Sequence, residues 1–215
     1  MYIPSAFRED ETDVLLAAMR DIGTAAVVSD GPDGLLASHV PVELDPEPAP
    51  LGAIRCHFAL PNSQALALAE GRELLFIFQG PQGYVSPSWY PTKRRTGKVV
   101  PTLNYVAVHA YGRVSSFLDG DGLRAHLAAL TGRFESSNDP PWKIDDAPAE
   151  YIDAMCRAIT GIQVPLTRIE GKWKLSQNRD KGDRRGVVKG LREQGDAASL
   201  ALADLVEDAI DDEGD

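Results

Sequence analysis

The sequence predicts a mainly β fold with helices set between the strands, an antiparallel barrel of the α+β class. Three observations carry this. Apolar and β-branched segments follow one another through tight turns, helical patterns fall between pairs of strands, and the chain contains no GxGxxG, P-loop or internal repeat of the kind that marks a parallel α/β sheet or a solenoid.

The elements follow in order. The stretch beginning at Asp10 places Val14, Leu15, Ala18, Met19 and Ile22 on one helical face, with Asp10 or Thr12 as N-cap. TAAVVSD and GLLASHVPVEL flank GPDG, whose Pro and Gly suit a tight reversal, so a hairpin is expected. AIRCHFAL reads as a strand that breaks at Pro61. Asn62 and Ser63 are both good caps for a short helix, NSQALALAEG, closed by Gly71. ELLFIFQG is apolar along its length, as a strand in a barrel or dimer core would be. GPQGYVSPSWY carries prolines at 81 and 87 and resists both regular helix and central strand. Its Trp89 and Tyr90 are either packed on their own domain or set to receive a flat ligand or a partner. PTKRRTGK then reads as a basic loop. VVPTLNYVAVHAYGRVSSFL is a long strand bent near Gly112. Asp119 starts the helix DGLRAHLAALTGRF, SSNDPPWKIDDAP is a loop, AEYIDAMCRAI is helical, and GIQVPLTRIEGKWKL returns to strand. Two helices, Lys181 to Glu193 and Ala197 to Ala209, are expected around Gly195. The division expected is a barrel domain over 1–175 and a helical appendage over 176–215.

The 215 residues suffice for a full core, and the hydrophobic content of 43% and charged content of 25% are ordinary globular values. No apolar run approaches the ~18 residues of a membrane span. The start, MYIPSAFRED, lacks a basic and then apolar leader, so the cytoplasm is the expected compartment. Cys56 and Cys156 have no CxxC partner and read as reduced core residues. Net charge is −10, unevenly spread. The segment from Gly171 to Arg192 holds eight Lys or Arg against two Asp, whereas the last twenty residues hold eight acids and no base. The two last helices superficially resemble a helix-turn-helix. The second, however, presents Asp204, Glu207 and Asp208 and no base, which opposes an anionic duplex, so any DNA contact would come from the 171–192 segment.

Four histidines, His39, His57, His109 and His126, are present; the adjacent Cys56 and His57 point to opposite faces of a strand, and no metal site is expected. No GxSxG or Cys/His arrangement supports a hydrolase. An anionic ligand fits better. Asn62 and Ser63 leave backbone N–H groups at a helix start, serving either as a simple cap or as a phosphate site. Lys93, Arg94, Arg95 and Lys98 lie beside the aromatic loop, as a solvated turn or as partners of a phosphate-bearing aromatic cofactor.

Five motifs occur in order: MYIPSAF at 1–7, GYVSPSWY at 83–90, VVPTLNY at 99–105, PPWKIDDAP at 140–148 and GKWKLSQNR at 171–179. Together they resemble the PaiB family, described as FMN-binding negative transcriptional regulators, over Met1 to about Leu191. Leu103 stands where the family pattern carries Trp. The resemblance implies an FMN-binding split β-barrel, a six-stranded antiparallel Greek-key barrel that forms a homodimer with FMN at the subunit interface. A small barrel filled by its own side chains would hold a flavin on its surface, which agrees. The resemblance further implies phosphate-binding groups on the second and third strands and the following helix, where Ser38, His39, His57, Asn62 and Ser63 fall. Trp89 would offer an aromatic face, Thr102 and Asn104 hydrogen bonds to the ring edge, and Lys93 a phosphate contact. Lys174, Gln177, Asn178 and Arg179 beside Trp173 form a polar cluster, read as a binding surface or a satisfied junction. The function implied is a cytoplasmic FMN-binding repressor; a flavin-dependent oxidoreductase or flavin reductase is the alternative, since flavin itself carries the redox chemistry.

Overall fold

In the computed structural model, which describes residues 1–211, β1 (Arg8–Glu9) and α1 (Thr12–Ile22) precede β2 (Thr24–Gly31), β3 (Gly34–Pro41), β4 (Glu43–Asp45) and β5 (Ala53–Ala59). Then come α2 (Ser63–Ala67), β6 (Glu73–Val85), α3 (Pro91–Thr96), β7 (Thr102–Arg113) and β8 (Ser116–Phe117). The chain ends with α4 (Gly120–Phe134), α5 (Ala149–Cys156), β9 (Ile159–Lys174), α6 (Lys181–Gln194) and α7 (Ala197–Asp211). Strand order is β3-β2-β6-β7-β9-β5-β4, with β1 and β8 joined to β9. Six long strands, β2, β3, β5, β6, β7 and β9, thus match the expected antiparallel α+β barrel, and β1, β4 and β8 add two or three residues each.

By contacts the chain forms two compact units. Unit 1 takes residues 1–11, 79–108 and 170 onward; unit 2 takes 12–78 and 109–169. The boundary expected at residue 175 falls inside unit 1, because α6 and α7 bury Val187, Leu191, Leu202 and Val206 in one cluster with Val85, Tyr90 and Val106.

In unit 2 the β2–β3 register pairs Gly31 with Gly34 and leaves Pro32 and Asp33 as the turn. Leu15 and Met19 are the buried stripe of α1. Asp119 caps α4 by accepting a hydrogen bond from the Gly122 amide at 2.8 Å. β5 alternates: Cys56 and Phe58 are buried, whereas Arg55 and His57 point to the other face. Gly112 answers a close approach rather than a bend. A Cβ there would stand 2.4 Å from the Pro165 carbonyl oxygen, so β7 and β9 can meet only at a glycine.

In unit 1, β6 continues through Pro81 to Val85, where the sequence suggested a loop. Its register with β2 is confined to Leu75–Ile77, so the missing amide of Pro81 breaks no ladder bond on that side. PTKRRTGK is helical, not a loop. Pro91 occupies the first turn of α3, where a missing N–H costs nothing, and Gly97 closes the helix at φ 65°. Thr92 N donates to Asp183 Oδ1 at 3.0 Å and ties α3 to α6. Helix α6 carries Gly186 and Gly190 one turn apart, and Trp89 lies on them. A Cβ at Gly190 would stand 2.2 Å from the indole. Each glycine weakens an isolated helix by about 1 kcal/mol; here Gly190 makes room for the ring and Gly186 for the Trp89 backbone carbonyl.

Candidate functional site

A cavity of about 210 Å³ in unit 1 is lined by residues from four distant stretches: Phe7; Tyr90; Val100, Pro101, Thr102 and Asn104; and Lys174, Ser176, Asn178 and Arg179. These belong to four of the five family motifs. The fifth, over 140–148, lies in unit 2.

Local structure fixes the polar lining. Strand β9 ends at Lys174, and the next turn puts Ser176 at φ 66°, a left-handed conformation that costs a non-glycine residue about 1–3 kcal/mol. The turn is braced by Gln177, whose Oε1 accepts from Leu175 N at 2.7 Å and whose Nε2 donates to Trp173 O at 2.6 Å. Buried Asn104 donates from Nδ2 to Ser176 Oγ at 2.8 Å, and the hydroxyl donates back to Asn104 Oδ1 at 3.2 Å. Lys174 Nζ donates to Thr102 Oγ1 at 2.5 Å and to Leu103 O.

Three cations gather here, and none forms an ion pair among the described residues. Lys172 is only 7% exposed, donates to Tyr2 O at 3.1 Å and lies 5.1 Å from the Tyr105 ring centroid. Arg179 lies 5.0 Å from the Tyr90 centroid. Burial, then the like charges of Lys172 and Arg179, hold the Lys174 ammonium below the usual lysine range. Among the described residues no carboxylate lines the cavity. Tyr90, 1% exposed, keeps a buried hydroxyl with no partner at hydrogen-bonding geometry, although Ser176 and Arg179 stand beside it, and its pKa is raised chiefly by burial. A site with unspent donors and unneutralised cations is built for an electron-rich or anionic guest.

The sequence-predicted residues divide between the units. Thr102 and Asn104 line the cavity. Trp89 is taken up by α6, and Lys93 is exposed on α3. Leu103 is 56% exposed and does not line the cavity; its carbonyl, not its side chain, serves the site. In unit 2, Asn62 caps α2 by accepting from Gln64 N at 2.8 Å and donates to Ser38 Oγ at 2.9 Å. Ser63 and His39 are exposed, and α2 ends at Ala67 rather than Gly71.

His57 belongs to a different network. The Glu43 carboxylate can only accept, so His126 donates to it from Nδ1 at 2.8 Å; His126 Nε2 then accepts from His57 Nδ1 at 3.1 Å. Glu43 also faces Arg55 at 3.5 Å, and Arg55 pairs with Asp45 and donates to Gln163 Oε1 at 3.2 Å. Burial, then the neighbouring His126, pushes His57 down to about 4. Sequence reasoning missed His126, Glu43, Tyr90 as a lining group, Phe7 and Ser176. For Lys174 and Arg179 the signal was there, in basic residues beside Trp173.

The model of the family described as "Putative FMN-binding domain" matches residues 1–168. A protein of Emericella nidulans is 34% identical over 241 residues, covering 96% of both chains. The protease synthase and sporulation protein PAI 2 of Bacillus subtilis is 29% identical, covering 98% of both chains. Among solved structures, the FAD and heme binding protein of Mycobacterium smegmatis matches at a TM-score of 0.60 and 14% identity, over 83% of this chain and 78% of that one. A flavocytochrome of Azotobacter vinelandii matches at 0.59 and 11%, over 83% and 75%. These two share the fold. No helix among the described residues is long and apolar enough to cross a membrane.

Proposed function

The chain belongs to the FMN-binding domain family, with FMN as its cofactor, and we propose that it is a regulatory flavoprotein of the PaiB type, a homodimer that lowers expression of its target genes through a protein partner. The observation that supports this most is the convergence of four family motifs on one cavity whose cations no carboxylate neutralises. The cavity falls below the ~300–1,000 Å³ of sites that enclose a drug-sized ligand, so it would take one end of FMN rather than the whole. Thr102, Lys174, Tyr90 and Arg179 would bind and orient that end. Ser38, His39, His57, Asn62 and Ser63 remain a second proposed set, for phosphate, in unit 2. Exposed Tyr84, Val100 and Leu103 in unit 1 support a dimer.

Partner-mediated action fits the fate of the basic segment. Lys172 and Arg184 are buried, Lys174 and Arg179 serve the cavity, and Arg192 pairs with Asp204 at 3.1 Å and Glu207 at 2.5 Å. Lys181, Arg185, Lys189 and Arg192 do share one face of α6, but Lys189 lies 3.7 Å from Glu193 and Arg192 faces two carboxylates of α7, so that face presents mixed charge to a phosphate backbone. The second reading, a flavin-dependent oxidoreductase or flavin reductase, draws on the same cations, because positive charge beside a flavin favours its reduced form.

The test is the visible spectrum of the purified protein during FMN titration, followed by NADH and NADPH without oxygen. Bound flavin that keeps its absorption supports the regulator, flavin that bleaches supports the oxidoreductase, and a protein that takes up no FMN defeats both.

A further inference from the structure

We infer that the unit 1 cavity is an oxyanion site, taking the carboxylate or phosphate of a ligand whose apolar part rests against Phe7, Val100 and Pro101. This rests on the reading above that the cavity is the functional site.

Donor bookkeeping carries the inference. An ammonium has three N–H groups, and Lys174 spends two on Thr102 and Leu103. The Tyr90 hydroxyl is buried with no partner at hydrogen-bonding geometry, Ser176 and Arg179 standing beside it, and the Arg179 guanidinium lies over the Tyr90 ring rather than against a carboxylate. Three donors of different geometry therefore remain around one small space. The carboxylates nearest in sequence are engaged elsewhere. Asp180 pairs with Arg95 at 3.0 Å and caps α6, and Asp183 accepts from Thr92 N. Neither lines the cavity. Positive charge thus accumulates where water is partly excluded and no internal anion compensates it, an arrangement that a bound oxyanion relieves. The remaining lining joins the apolar Phe7, Val100 and Pro101 to the neutral polar Thr102, Asn104, Ser176 and Asn178, and the volume suits a single ring or short chain bearing one acidic group. A neutral sugar or a cation would leave the guanidinium and ammonium unanswered.

The oxyanion can come from FMN's own phosphate or from a separate small molecule, and the experiment distinguishes them. Inorganic phosphate and benzoate are titrated calorimetrically into the full chain, with and without saturating FMN, beside parallel titrations of FMN and riboflavin. Saturable binding of either probe is expected, weakened tenfold or more in Lys174→Met and in Arg179→Met and several-fold in Tyr90→Phe, with the thermal midpoint of each variant at or above the parent's. Displacement of FMN but not riboflavin by phosphate would mark the cofactor's phosphate as the guest. Probe binding that persists beside bound FMN would mark a separate ligand; either result supports an oxyanion site. No saturable binding of either probe, or binding that Lys174→Met and Arg179→Met both leave intact, overturns it. The FMN titration of the parent protein reports independently: FMN uptake without probe binding removes only this inference, and probe binding without FMN uptake removes only the flavin reading at this site.

Discussion

The molecule holds two polar clusters of opposite design. In unit 2, Glu43, His126, His57, Arg55 and Asp45 form a chain in which carboxylates answer guanidinium and imidazole. In unit 1, Lys172, Lys174 and Arg179 face aromatic rings and each other, and the Tyr90 hydroxyl is idle. The first cluster spends its donors on its own carboxylates and rings; the second leaves donors over. The contrast is what favours the unit 1 cavity as the proposed binding site where residue types alone do not, since histidines and carboxylates look more catalytic than lysines.

The sharpest way to break the comparison is to remove the buried centre of the closed cluster. His126→Ala should cost about 2–4 kcal/mol in urea unfolding, since it opens a cavity and leaves Glu43 and His57 without their shared partner. FMN affinity, measured by fluorescence quenching, should stay within twofold; a large loss of affinity would make the closed cluster part of the site. Trp89→Ala should cost about 1.5–3 kcal/mol by emptying the space over Gly190, while Lys98→Ala leaves stability unchanged. Flavin binding that falls more steeply than stability would show that the indole touches the ring. Lys174→Met should move stability by less than about 1 kcal/mol, and upward, because it removes like-charge repulsion, yet should weaken FMN by about tenfold.

The remaining effects are read against pH. His57 is held neutral in the fold, at about 4 against an ordinary value of 6.5, so the unfolded chain binds more protons between these values and stability falls as pH drops through that window. Lys174 is also depressed, so in the unliganded protein the unfolded chain binds more protons just below the ordinary lysine range, and stability rises with pH there. His57→Gln should flatten the acid limb and Lys174→Met the alkaline limb. A bound oxyanion should flatten the alkaline limb alone.

Local signals in the sequence accounted for the periodic elements. The α1 stripe, the Pro32–Asp33 turn and the Asp119 cap were legible because each is settled within a few residues. Helix α3 was missed although Pro91 and Gly97 bracket it, because its basic interior resembles a solvated loop. For Trp89 the sequence leaves packing and a ligand face both open, because nothing local shows that Gly190, about a hundred residues on, lies against its indole. The cavity was half legible. Thr102, Asn104, Lys174 and Arg179 stood out as polar groups within motifs, but their meeting with Phe7 and Tyr90 is set by long-range pairing, which periodicity does not encode.

The cavity's residues span the chain from Phe7 to Arg179, and the positive φ of Ser176 lies near the far end. During synthesis, therefore, the complete lining cannot exist until the segment from Lys174 to Arg179 has been delivered. A growing chain exposes the Tyr90 side of the pocket first and gains its charges late. Termination before Lys174 would remove the cations of the proposed anion site, so anion binding, where found, would report that synthesis had passed Arg179.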